Sequence, residues 1–379
     1  MIKREIEQEI SERLNEGKTI VIYGPRQVGK TTLLHTLFDK EEEVAWYNGD
    51  NISVQEDFER ADFDALKTLV MDKKTVIIDE AQRIRDIGLK LKILHDNLSK
   101  KTQFVATGSS SFDLANKINE PMTGRKWTYL LLPLTARELV RHTNLLVEKA
   151  NLENRLKYGA YPAVVNDLER ARDILAELTN ENLYKDVLTM GEIIKTDKLK
   201  KILQALALQI GSQVSIHELA QTVGLDDKTT DKYISLLEQS FIIYRLPSFA
   251  RNLRNELKAS QKIYFYDVGI RNSIINDFRP IDLRPDKGNL FENYVVSELV
   301  KRFHGQNIWF WRNTEQQEID FLIEKDGEIS VFEIKYRRKD SFKFPSAFTK
   351  AYKPGKSFVI DTDNCTELLA GEELDYLEG

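Results

Sequence analysis

The first third of the chain alternates between two apolar patterns, one typical of helices and one typical of buried strands. Isoleucine or leucine recurs every fourth residue from Ile2 to Leu14, and Gly17 follows, which predicts an amphipathic helix that stops at a glycine. Strand-like apolar runs then occur at 19–23, 44–47, 75–79, 103–107 and 127–132. Helical patterns such as Ile87–Leu98 separate these runs. Strands that alternate with helices predict an α/β fold whose parallel sheet is covered on both faces.

The middle of the chain has the pattern of two helices joined by a tight turn. The apolar spacing over 216–220 predicts a first helix, and Gly224 ends it. Asp226 is suited to cap a second, longer helix. The residues of that helix that would face inward are Tyr233, Ile234, Leu236 and Leu237. Because the runs 241–246 and 262–266 predict two wing strands, the pattern indicates a winged helix.

Near the C-terminus, alternating apolar and polar residues surround a preferred two-residue hairpin turn. The turn is 326–327, an Asp-Gly pair, and the alternating segments are 318–325 and 328–336. Pairing Lys325 with Glu328 across this turn fixes the register of every other pair. The segment therefore predicts an antiparallel hairpin in one defined register.

This register sorts the side chains of the hairpin onto two sides. The facing pairs are Phe321 with Phe332 and Ile319 with Ile334 on an apolar side, and Asp320 with Glu333 and Glu318 with Lys335 on the other. Carboxylates directly opposite each other in a ladder repel unless a positive charge lies between them. A Mg²⁺ ion between Asp320 and Glu333 would remove this repulsion.

The composition is that of a globular protein with mixed charges. The 379 residues, of which 41% are hydrophobic and 30% charged, leave room for about two or three domains. The net charge of −5 gives no global argument for nucleic-acid binding, so such binding must come from local patches. The single cysteine, Cys365, excludes an internal disulfide. The N-terminus is charged and no apolar run approaches the roughly 18 residues of a membrane helix, so we expect a cytoplasmic protein without membrane contacts.

The segment after the first predicted strand fits the phosphate-binding pattern G-x-x-x-x-G-K-[ST]. Its residues are Gly24, Pro25, Arg26, Gln27, Val28, Gly29, Lys30, Thr31 and Thr32. In this pattern backbone N–H groups approach the phosphates, the lysine supplies a cation to the β and γ oxygens, and the hydroxyl joins a Mg²⁺ shell. Helical leucine spacing follows, so the phosphates would lie at a helix N-terminus. We therefore expect ATP and Mg²⁺ as cofactors, with Lys30 on the phosphates and Thr31 on the metal ion.

Two adjacent carboxylates end the third predicted strand. Asp79 and Glu80 follow the β-branched run 75–78. Asp79 would hold Mg²⁺ through water, and Glu80 would orient and deprotonate the attacking water. Taken alone, the pair could equally be a solvated strand end; paired with an upstream phosphate loop, it indicates nucleotide hydrolysis.

Polar residues beside the last two predicted strands extend this site. Thr107, Ser109 and Ser110 lie at the end of the run 103–107, where they could report the γ-phosphate or form an ordinary turn. That run would be the sensor strand of an additional-strand P-loop ATPase. Arg125 precedes the last strand. It could be an arginine finger that reaches the γ-phosphate of a neighbouring subunit, or a surface arginine.

The order of these motifs resembles one family over nearly the whole chain. The segments that carry the resemblance are G-P-R-Q-V-G-K-T-T, I-I-D-E-A-Q, A-T-G-S-S-S, G-R, L-P-L, Y-G-A-Y-P, A-L-Q-I-G-S and K-I-Y-F-Y-D-V-G. Together they look like bacterial and archaeal ATPases of the AAA family that carry a C-terminal domain of unknown function, DUF4143. The resemblance implies an ATPase core, a winged-helix segment and a restriction-endonuclease-like C-terminal module.

The C-terminal hairpin also resembles nucleases with a P-D-(D/E)-x-K core. Asp320, followed by Glu333 and Lys335, has the spacing of that core. In those enzymes the two acids hold a metal ion, the lysine positions or activates water, and a glutamate on a preceding helix often joins them. The resemblance therefore implies metal-assisted hydrolysis of phosphodiesters.

A helix predicted over 291–299 supplies Glu292 and Glu298 as candidates for that additional acid. Basic and aromatic residues nearby could contact nucleic acid: Trp309, Trp311, Arg312, Arg337, Arg338 and Lys339. Two other interpretations stay open. One is an inactive nuclease fold kept for DNA binding or assembly, and the other is an ordinary hairpin whose Glu318–Lys335 pair is a surface salt bridge.

The charges of the predicted winged helix bear on DNA binding. The residues that would contact DNA are Lys228, Thr229 and Lys232 on the helix and Arg251, Arg254 and Lys258 in the wing. Asp226, Asp227 and Asp231 crowd the same helix, and their repulsion from phosphates opposes sequence-specific recognition. Packing against the ATPase core or a partner protein is the alternative role.

These predictions divide the chain into four parts. They are a P-loop AAA-type ATPase core at 1–136, a helical lid or linker at 137–200, a winged helix at 201–284 and a PD-(D/E)xK nuclease-like α/β domain at 285–379. The predicted function is Mg²⁺-dependent ATP hydrolysis coupled to binding or processing of DNA, either single-stranded, duplex or branched. The alternative is an ATP-gated DNA-binding or signalling ATPase whose inactive nuclease-like domain acts on protein partners. We expect a homo-oligomer, with a hexameric ring as one arrangement.

Overall fold

The computed structural model describes residues 1–71, 73–109, 121–183, 196–249, 261–337 and 342–378 of the chain. Several residues with predicted roles lie outside these ranges: Ser110, Arg251, Arg254, Lys258, Arg338 and Lys339. Within the described ranges, the strands form three separate sheets that follow one another along the chain. In the same ranges, no helix combines the length and the apolar character that a membrane crossing requires.

The first sheet is parallel, has five strands and carries helices on both faces. Its strands are β1 (Thr19–Tyr23), β2 (Val44–Asn48), β3 (Thr75–Asp79), β4 (Gln103–Gly108) and β5 (Lys126–Leu130), in the order β2-β3-β4-β1-β5. Its helices are α1 (Ile6–Glu12), α2 (Lys30–Phe38), α3 (Ile52–Arg60), α4 (Phe63–Val70) and α5 (Ile87–Leu98). The predicted parallel α/β architecture is confirmed. Two bounds differ, because α1 begins at Ile6 and β5 ends at Leu130.

Apolar residues that alternate along β1 explain why both faces of this sheet are covered. Ile20 and Ile22 belong to one hydrophobic cluster, and Val21 belongs to the cluster on the opposite face. β4, the strand predicted to carry the sensor residues, lies between β3 and β1. Because all five strands are parallel, the ends of β1, β3 and β4 lie at the same edge of the sheet.

A helical segment follows the sheet. Its helices are α6 (Ala136–His142), α7 (Leu145–Tyr158), α8 (Pro162–Asn166) and α9 (Ala171–Glu177). α6 begins with a capping box, in which Glu138 N–H donates to the Thr135 hydroxyl and Thr135 N–H donates to the Glu138 carboxylate. α8 has Pro162 at its first position, where the missing N–H has no intrahelical partner to lose.

The second sheet lies beside three helices in the middle of the chain. The helices are α10 (Thr196–Leu208), α11 (Ile216–Val223) and α12 (Asp227–Gln239), and the strands are β6 (Gln213–Val214), β7 (Ile243–Pro247) and β8 (Gln261–Phe265). The sheet is antiparallel with the order β6-β8-β7. Gly224 ends α11 with φ of 67°, and the Asp226 carboxylate caps α12 by accepting from Thr229 N–H. Both predicted helix boundaries are therefore confirmed, whereas β6 was not predicted.

The third sheet has four strands and packs against the longest helix of this part of the chain. The elements are α13 (Val268–Ile274), α14 (Lys287–Arg302), β9 (Asn307–Arg312), β10 (Glu318–Lys325), β11 (Glu328–Ile334), α15 (Ser346–Tyr352), β12 (Lys356–Ile360) and α16 (Cys365–Ala370). The sheet order is β12-β11-β10-β9, with β11 and β12 parallel and the other pairs antiparallel. α14 buries Phe291, Val295 and Leu299 completely.

The predicted hairpin register is correct, but one of its side-chain assignments is wrong. Lys325 pairs with Glu328 and Phe321 pairs with Phe332, as predicted. Ile319, however, packs with Leu322 in a separate hydrophobic cluster rather than on the side of Phe321. The pairing of β10 with β9 shifts register between Ile319 and Leu322. Such an irregularity breaks the strict alternation of sides on which the prediction relied.

Two loops meet where the helical segment contacts the end of β8. The buried Asp267 carboxylate caps α13 by accepting from Ile270 N–H at 3.1 Å, and it also accepts from Ala160 N–H at 2.7 Å. A Cβ atom on Gly159 would lie 2.1 Å from an Asp267 carboxylate oxygen. The close approach of these two loops thus depends on a glycine at 159.

We expect Gly159→Ala to lower the thermal unfolding midpoint markedly. The backbone at Gly159 has φ of 69°, which costs an L-residue about 1 kcal/mol, and the Asp267 overlap adds to that cost. Gly305→Ala is the matched control, since Gly305 has φ of 82° but a Cβ there would meet no described atom within 4 Å. Calorimetry should show a clearly larger loss for Gly159→Ala. If both variants lower the unfolding midpoint equally, the overlap of a Cβ at position 159 with Asp267 is relieved without a cost in stability.

Candidate functional site

The loop between β1 and α2 has the backbone geometry of a phosphate-binding loop. Gly24 has φ of 155°, and a Cβ there would lie 1.9 Å from the Leu131 carbonyl oxygen. Gly29 has φ of 97° and precedes the first turn of α2. Lys30 is 5% exposed, and its ammonium donates to the Gly24 and Pro25 carbonyl oxygens at 2.9 and 3.0 Å. The strand, loop and helix therefore form the context that the predicted motif requires.

The structure brings the predicted metal ligands of this loop together. Thr31 donates its hydroxyl to Asp79 at 2.7 Å, although the two residues are 48 positions apart. The other Asp79 carboxylate oxygen accepts from the hydroxyl of Thr107, which lies on the predicted sensor strand. A hydroxyl and a carboxylate in contact at the edge of the sheet offer the oxygen ligands that Mg²⁺ prefers. These residues therefore fit a Mg²⁺ ion bound with a nucleotide.

Glu80 lies beside this pair and is held by two further polar residues. Its backbone is left-handed, with φ of 50°, and its N–H faces the Thr107 hydroxyl at 3.1 Å. The Glu80 carboxylate accepts from the Gln82 amide at 2.6 Å, and the same amide lies 3.0 Å from the Ser109 hydroxyl. Gln82 therefore connects the predicted base to the predicted sensor. It belongs to one of the matching sequence segments, but the segment alone indicated no role for it.

A cavity of about 340 Å³ opens beside the phosphate loop. It is lined by Met1, Ile2, Lys3, Arg4, Glu7, Val28, Gly29, Thr32, Leu33, Thr36, Leu134, Pro162 and Asn166. Arg4 is 9% exposed and donates to the Val28 carbonyl oxygen at 2.7 Å, to the Leu132 carbonyl oxygen at 2.6 Å and to Glu138 at 2.9 Å. Arg4 thus fixes the N-terminal segment to the loop. This role was not predicted, because a single charged residue in a helical pattern gives no signal.

Arg125 does not lie at the nucleotide site of its own chain. It precedes β5, and its carbonyl oxygen accepts from the N–H of Thr19, the first residue of β1. This is the edge of the sheet opposite the phosphate loop. The Arg125 guanidinium instead pairs with Asp96 at 2.5 Å. A role towards a neighbouring subunit stays a prediction.

A second set of carboxylates gathers between α14 and the third sheet. We call Glu292, Glu318, Asp320 and Glu333 the acidic cluster. One carboxylate oxygen from each of Glu292, Glu318 and Asp320 lies within 4.8 Å of the other two. Asp320 accepts from the Ile334 N–H at 2.8 Å, which fixes its side chain across the hairpin. The structure therefore brings all four acids of α14, β10 and β11 to one place.

Two lysines contact the acidic cluster, one of them unexpected. Lys335 lies 2.5 Å from Glu333 and 3.7 Å from Asp320, so the predicted association of these three residues is present. Glu318 does not pair with Lys335 as one interpretation assumed; it pairs with Lys262 at 2.5 Å. Lys262 comes from β8 of the second sheet and also lies 3.0 Å from Glu292. Lys262 was predicted to lie on a wing strand, and that position gave no reason to expect a contact with the acidic cluster.

Burial controls the ionisation of two acids of the acidic cluster, Asp320 and Glu333. Burial, reinforced by the neighbouring Glu292 and Glu333 charges, raises the pKa of Asp320 to about 8. Burial likewise raises the pKa of Glu333. Burial alone would lower the pKa of Lys262, but the surrounding carboxylates outweigh it and raise the pKa above the usual lysine value. Lys262 therefore stays charged, while Asp320 and Glu333 resist ionisation.

The donor set of the acidic cluster fits a divalent cation. The Glu333 Oε2 atom is buried and has no hydrogen-bond partner among the described residues. When all are ionised, the acidic cluster carries four negative charges against three positive ones, from Lys262, from Lys335 and from Arg312, which lies 3.6 Å from Glu318. A buried excess of negative charge is costly unless a cation compensates it.

Two residues proposed for the C-terminal site serve other purposes. Glu298 accepts from Ala136 N–H at 2.6 Å and from Lys301 at 2.8 Å, so it supports α6 rather than the acidic cluster. Trp311 is 7% exposed and stacks edge-on against Phe348, which leaves little of its ring for a nucleic acid. Both corrections have the same cause, since helix and strand periodicity gives the face of a residue but not what covers that face.

Three sequence families match successive parts of the chain. They are described as an AAA domain, matching residues 16–140, a domain of unknown function (DUF8612), matching residues 149–280, and a domain of unknown function (DUF4143), matching residues 287–372. An uncharacterized protein of Mycobacterium tuberculosis is 26% identical over 335 residues, which are 88% of this chain and 74% of that protein. An uncharacterized protein of Haemophilus influenzae is 26% identical over 338 residues, which are 83% of this chain and 82% of that protein.

Among solved structures, the Walker-type ATPase of Pyrococcus abyssi is similar in fold. The match has a TM-score of 0.51 at 14% sequence identity and covers 73% of this chain and 96% of the Pyrococcus abyssi chain. Together with the domain matches, this similarity supports an AAA-type P-loop ATPase core joined to a DUF4143 region.

Proposed function

We propose that this protein is a Mg²⁺-dependent ATPase whose turnover is coupled to the binding or processing of DNA. The observation that carries the ATPase assignment is the convergence of Lys30, Thr31, Asp79 and Glu80 at one edge of the parallel sheet. These residues come from two segments that are far apart in sequence, the start of α2 and the end of β3. Phosphate binding, metal binding and water activation would therefore occur within one small site.

Each residue of this site has a separate task. Lys30 would exchange its loop carbonyl partners for phosphate oxygens, and the backbone N–H groups of the loop would bind the same phosphates. Thr31 and Asp79 would hold Mg²⁺, which neutralises developing charge on the phosphates. Glu80 would take the proton of the attacking water. The cavity beside Val28 and Pro162 would receive the nucleoside.

The second and third sheets support the DNA half of the proposal. The second sheet and α10–α12 would form a winged helix, and Lys228 and Lys232 are exposed on α12. The acidic cluster with Lys335 would form a nuclease-like site, with the acids holding Mg²⁺ as a Lewis acid and Lys335 orienting water. The proposal includes the division of the chain into four parts, at 1–136, 137–200, 201–284 and 285–379. It also includes a role for Arg125 between the subunits of a homo-oligomer.

DNA affinity tests the coupled function. Fluorescence anisotropy would compare labelled single-stranded, duplex and forked DNA, each with and without ATP, at low and high salt. We expect binding that changes with ATP and weakens steeply as salt rises, because Lys and Arg contacts to phosphates release counterions. Absence of binding to all three DNAs at low salt would contradict the DNA function and favour a signalling ATPase that acts on proteins.

A further inference from the structure

Lys262 lies in the second sheet, but its ammonium contacts acids of the acidic cluster, which α14 and the third sheet supply. The residue lies on β8, which pairs with β6 and β7. Its side chain is almost fully buried, and its ammonium lies 3.0 Å from Glu292 and 2.5 Å from Glu318. Those two acids, with Asp320, are the residues whose carboxylate oxygens gather within 4.8 Å. The lysine therefore occupies the region in which a metal ion would find its ligands.

The second sheet and the segment that leads into it also contact Glu292. The Tyr264 hydroxyl, from the same strand as Lys262, donates to Glu292 at 2.6 Å. The backbone at Gly211 passes close to the same carboxylate, since a Cβ there would lie 3.3 Å from it. One Glu292 oxygen thus accepts from both Lys262 and Tyr264. The acids come from α14 and the third sheet, whereas Lys262 and Tyr264 come from the second sheet.

We propose that the Lys262 ammonium is a built-in occupant of the cation site formed by Glu292, Glu318 and Asp320, and that it opposes the binding of a divalent metal ion there. The inference rests on the proposed metal site of the acidic cluster. A fully buried lysine is held by the carboxylates that neutralise it, because an unpaired buried charge is costly. A metal ion that enters must take carboxylate oxygens from the ammonium or bind beside a like charge a few ångströms away. In both cases the acidic cluster binds the metal ion more weakly.

The competition distinguishes Lys262 from Lys335. Lys335 is 45% exposed, contacts Glu333 and lies 3.7 Å from Asp320, so solvent can accommodate its charge when a metal ion binds. Lys262 has no comparable exit, because its side chain is 2% exposed between two sheets. Withdrawing it requires a movement of β8 relative to α14. The position of the second sheet relative to α14 would therefore determine how tightly the acidic cluster binds metal.

The test is a Mn²⁺ titration of the nucleotide-free full chain, followed by electron paramagnetic resonance of the unbound ion. Mn²⁺ binding is assigned to the acidic cluster when it is present in the wild type and lost in the double variant Glu292→Gln, Asp320→Asn. We expect Lys262→Met to bind Mn²⁺ at least about tenfold more tightly than the wild type, because the competing lysine charge is gone. Lys262→Arg, which keeps the charge, should show no gain. Lys287→Met is the control, since it removes a lysine charge from the same helix as Glu292 but outside the acidic cluster.

Each outcome decides one question. If the wild type binds Mn²⁺ through the acidic cluster but Lys262→Met binds equally or more weakly, Lys262 positions the acids and the occupant proposal is wrong. A gain in Lys262→Arg or Lys287→Met as large as that in Lys262→Met also overturns it. If no variant gives a signal that depends on Asp320, the proposed metal site itself is wrong. Should Lys262→Met fail to fold in a thermal melt, Lys262→Gln keeps a donor for Glu292 and serves the same comparison.

Discussion

Replacing Glu80 by glutamine is expected to abolish ATP turnover while ATP still binds. The glutamine keeps the size of the side chain and an oxygen that can accept from Gln82, but it cannot take a proton from water. The residues proposed to hold the phosphates and Mg²⁺, Lys30, Thr31 and Asp79, are unchanged. General-base catalysis contributes about 10²- to 10⁴-fold to a rate, so phosphate release should fall at least about a hundredfold.

Two measurements check this prediction together. Steady-state phosphate release gives the rate, and equilibrium binding of a fluorescent ATP analogue shows whether the site is intact. Glu59→Gln is the matched control, because it makes the same chemical change at an exposed position on α3. Hydrolysis by Glu80→Gln at the rate of the Glu59→Gln protein would remove Glu80 from the mechanism.

Asp320→Asn is expected to abolish metal-dependent DNA cleavage without disturbing ATP hydrolysis. The asparagine side chain would keep an oxygen to accept from the Ile334 N–H but would lose the charge that holds a cation. Metal ions contribute several kcal/mol of charge stabilisation, and each 1.4 kcal/mol is about a factor of ten, so cleavage should fall about a hundredfold or more. The measurement is product formation from forked, duplex and single-stranded DNA with Mg²⁺ or Mn²⁺.

Asp326→Asn serves as the control for this experiment. It makes the same change in the same hairpin, at an exposed turn position where φ of 53° suits asparagine. Cleavage that survives in Asp326→Asn and disappears in Asp320→Asn and in Lys335→Ala would locate the chemistry at the acidic cluster. Wild-type protein that cleaves none of these DNAs would mean that the nuclease-like site is inactive.

The nucleotide site could be predicted from the sequence because its determinants are local. The loop from Gly24 to Thr31 follows an apolar strand run and precedes helical spacing, and that order alone specifies a phosphate-binding loop. The pair Asp79-Glu80 at another strand end had to lie at the same edge of a parallel sheet. The parts that could not be predicted are contacts between distant segments, such as Arg4 with Glu138, 134 positions away.

The acidic cluster shows the same limit. The turn at 326–327 set the hairpin register, and that register brought Asp320 and Glu333 to the same part of the sheet. Strand alternation could not reveal the irregularity between Ile319 and Leu322, because it depends on pairing with β9. Nor could it place Lys262, whose partners Glu292 and Glu318 lie in other elements. Long-range packing, rather than local preference, decides such contacts.

The rate of ATP hydrolysis by the full chain, with and without DNA, tests the central claim most directly. Phosphate release would be followed at saturating ATP with Mg²⁺, with forked or duplex DNA added, and with EDTA as the metal-free control. We predict turnover that requires Mg²⁺ and changes when DNA is added. If phosphate release stays at the rate of the EDTA control with every DNA tested, this result contradicts the proposal that the protein is an ATPase coupled to DNA.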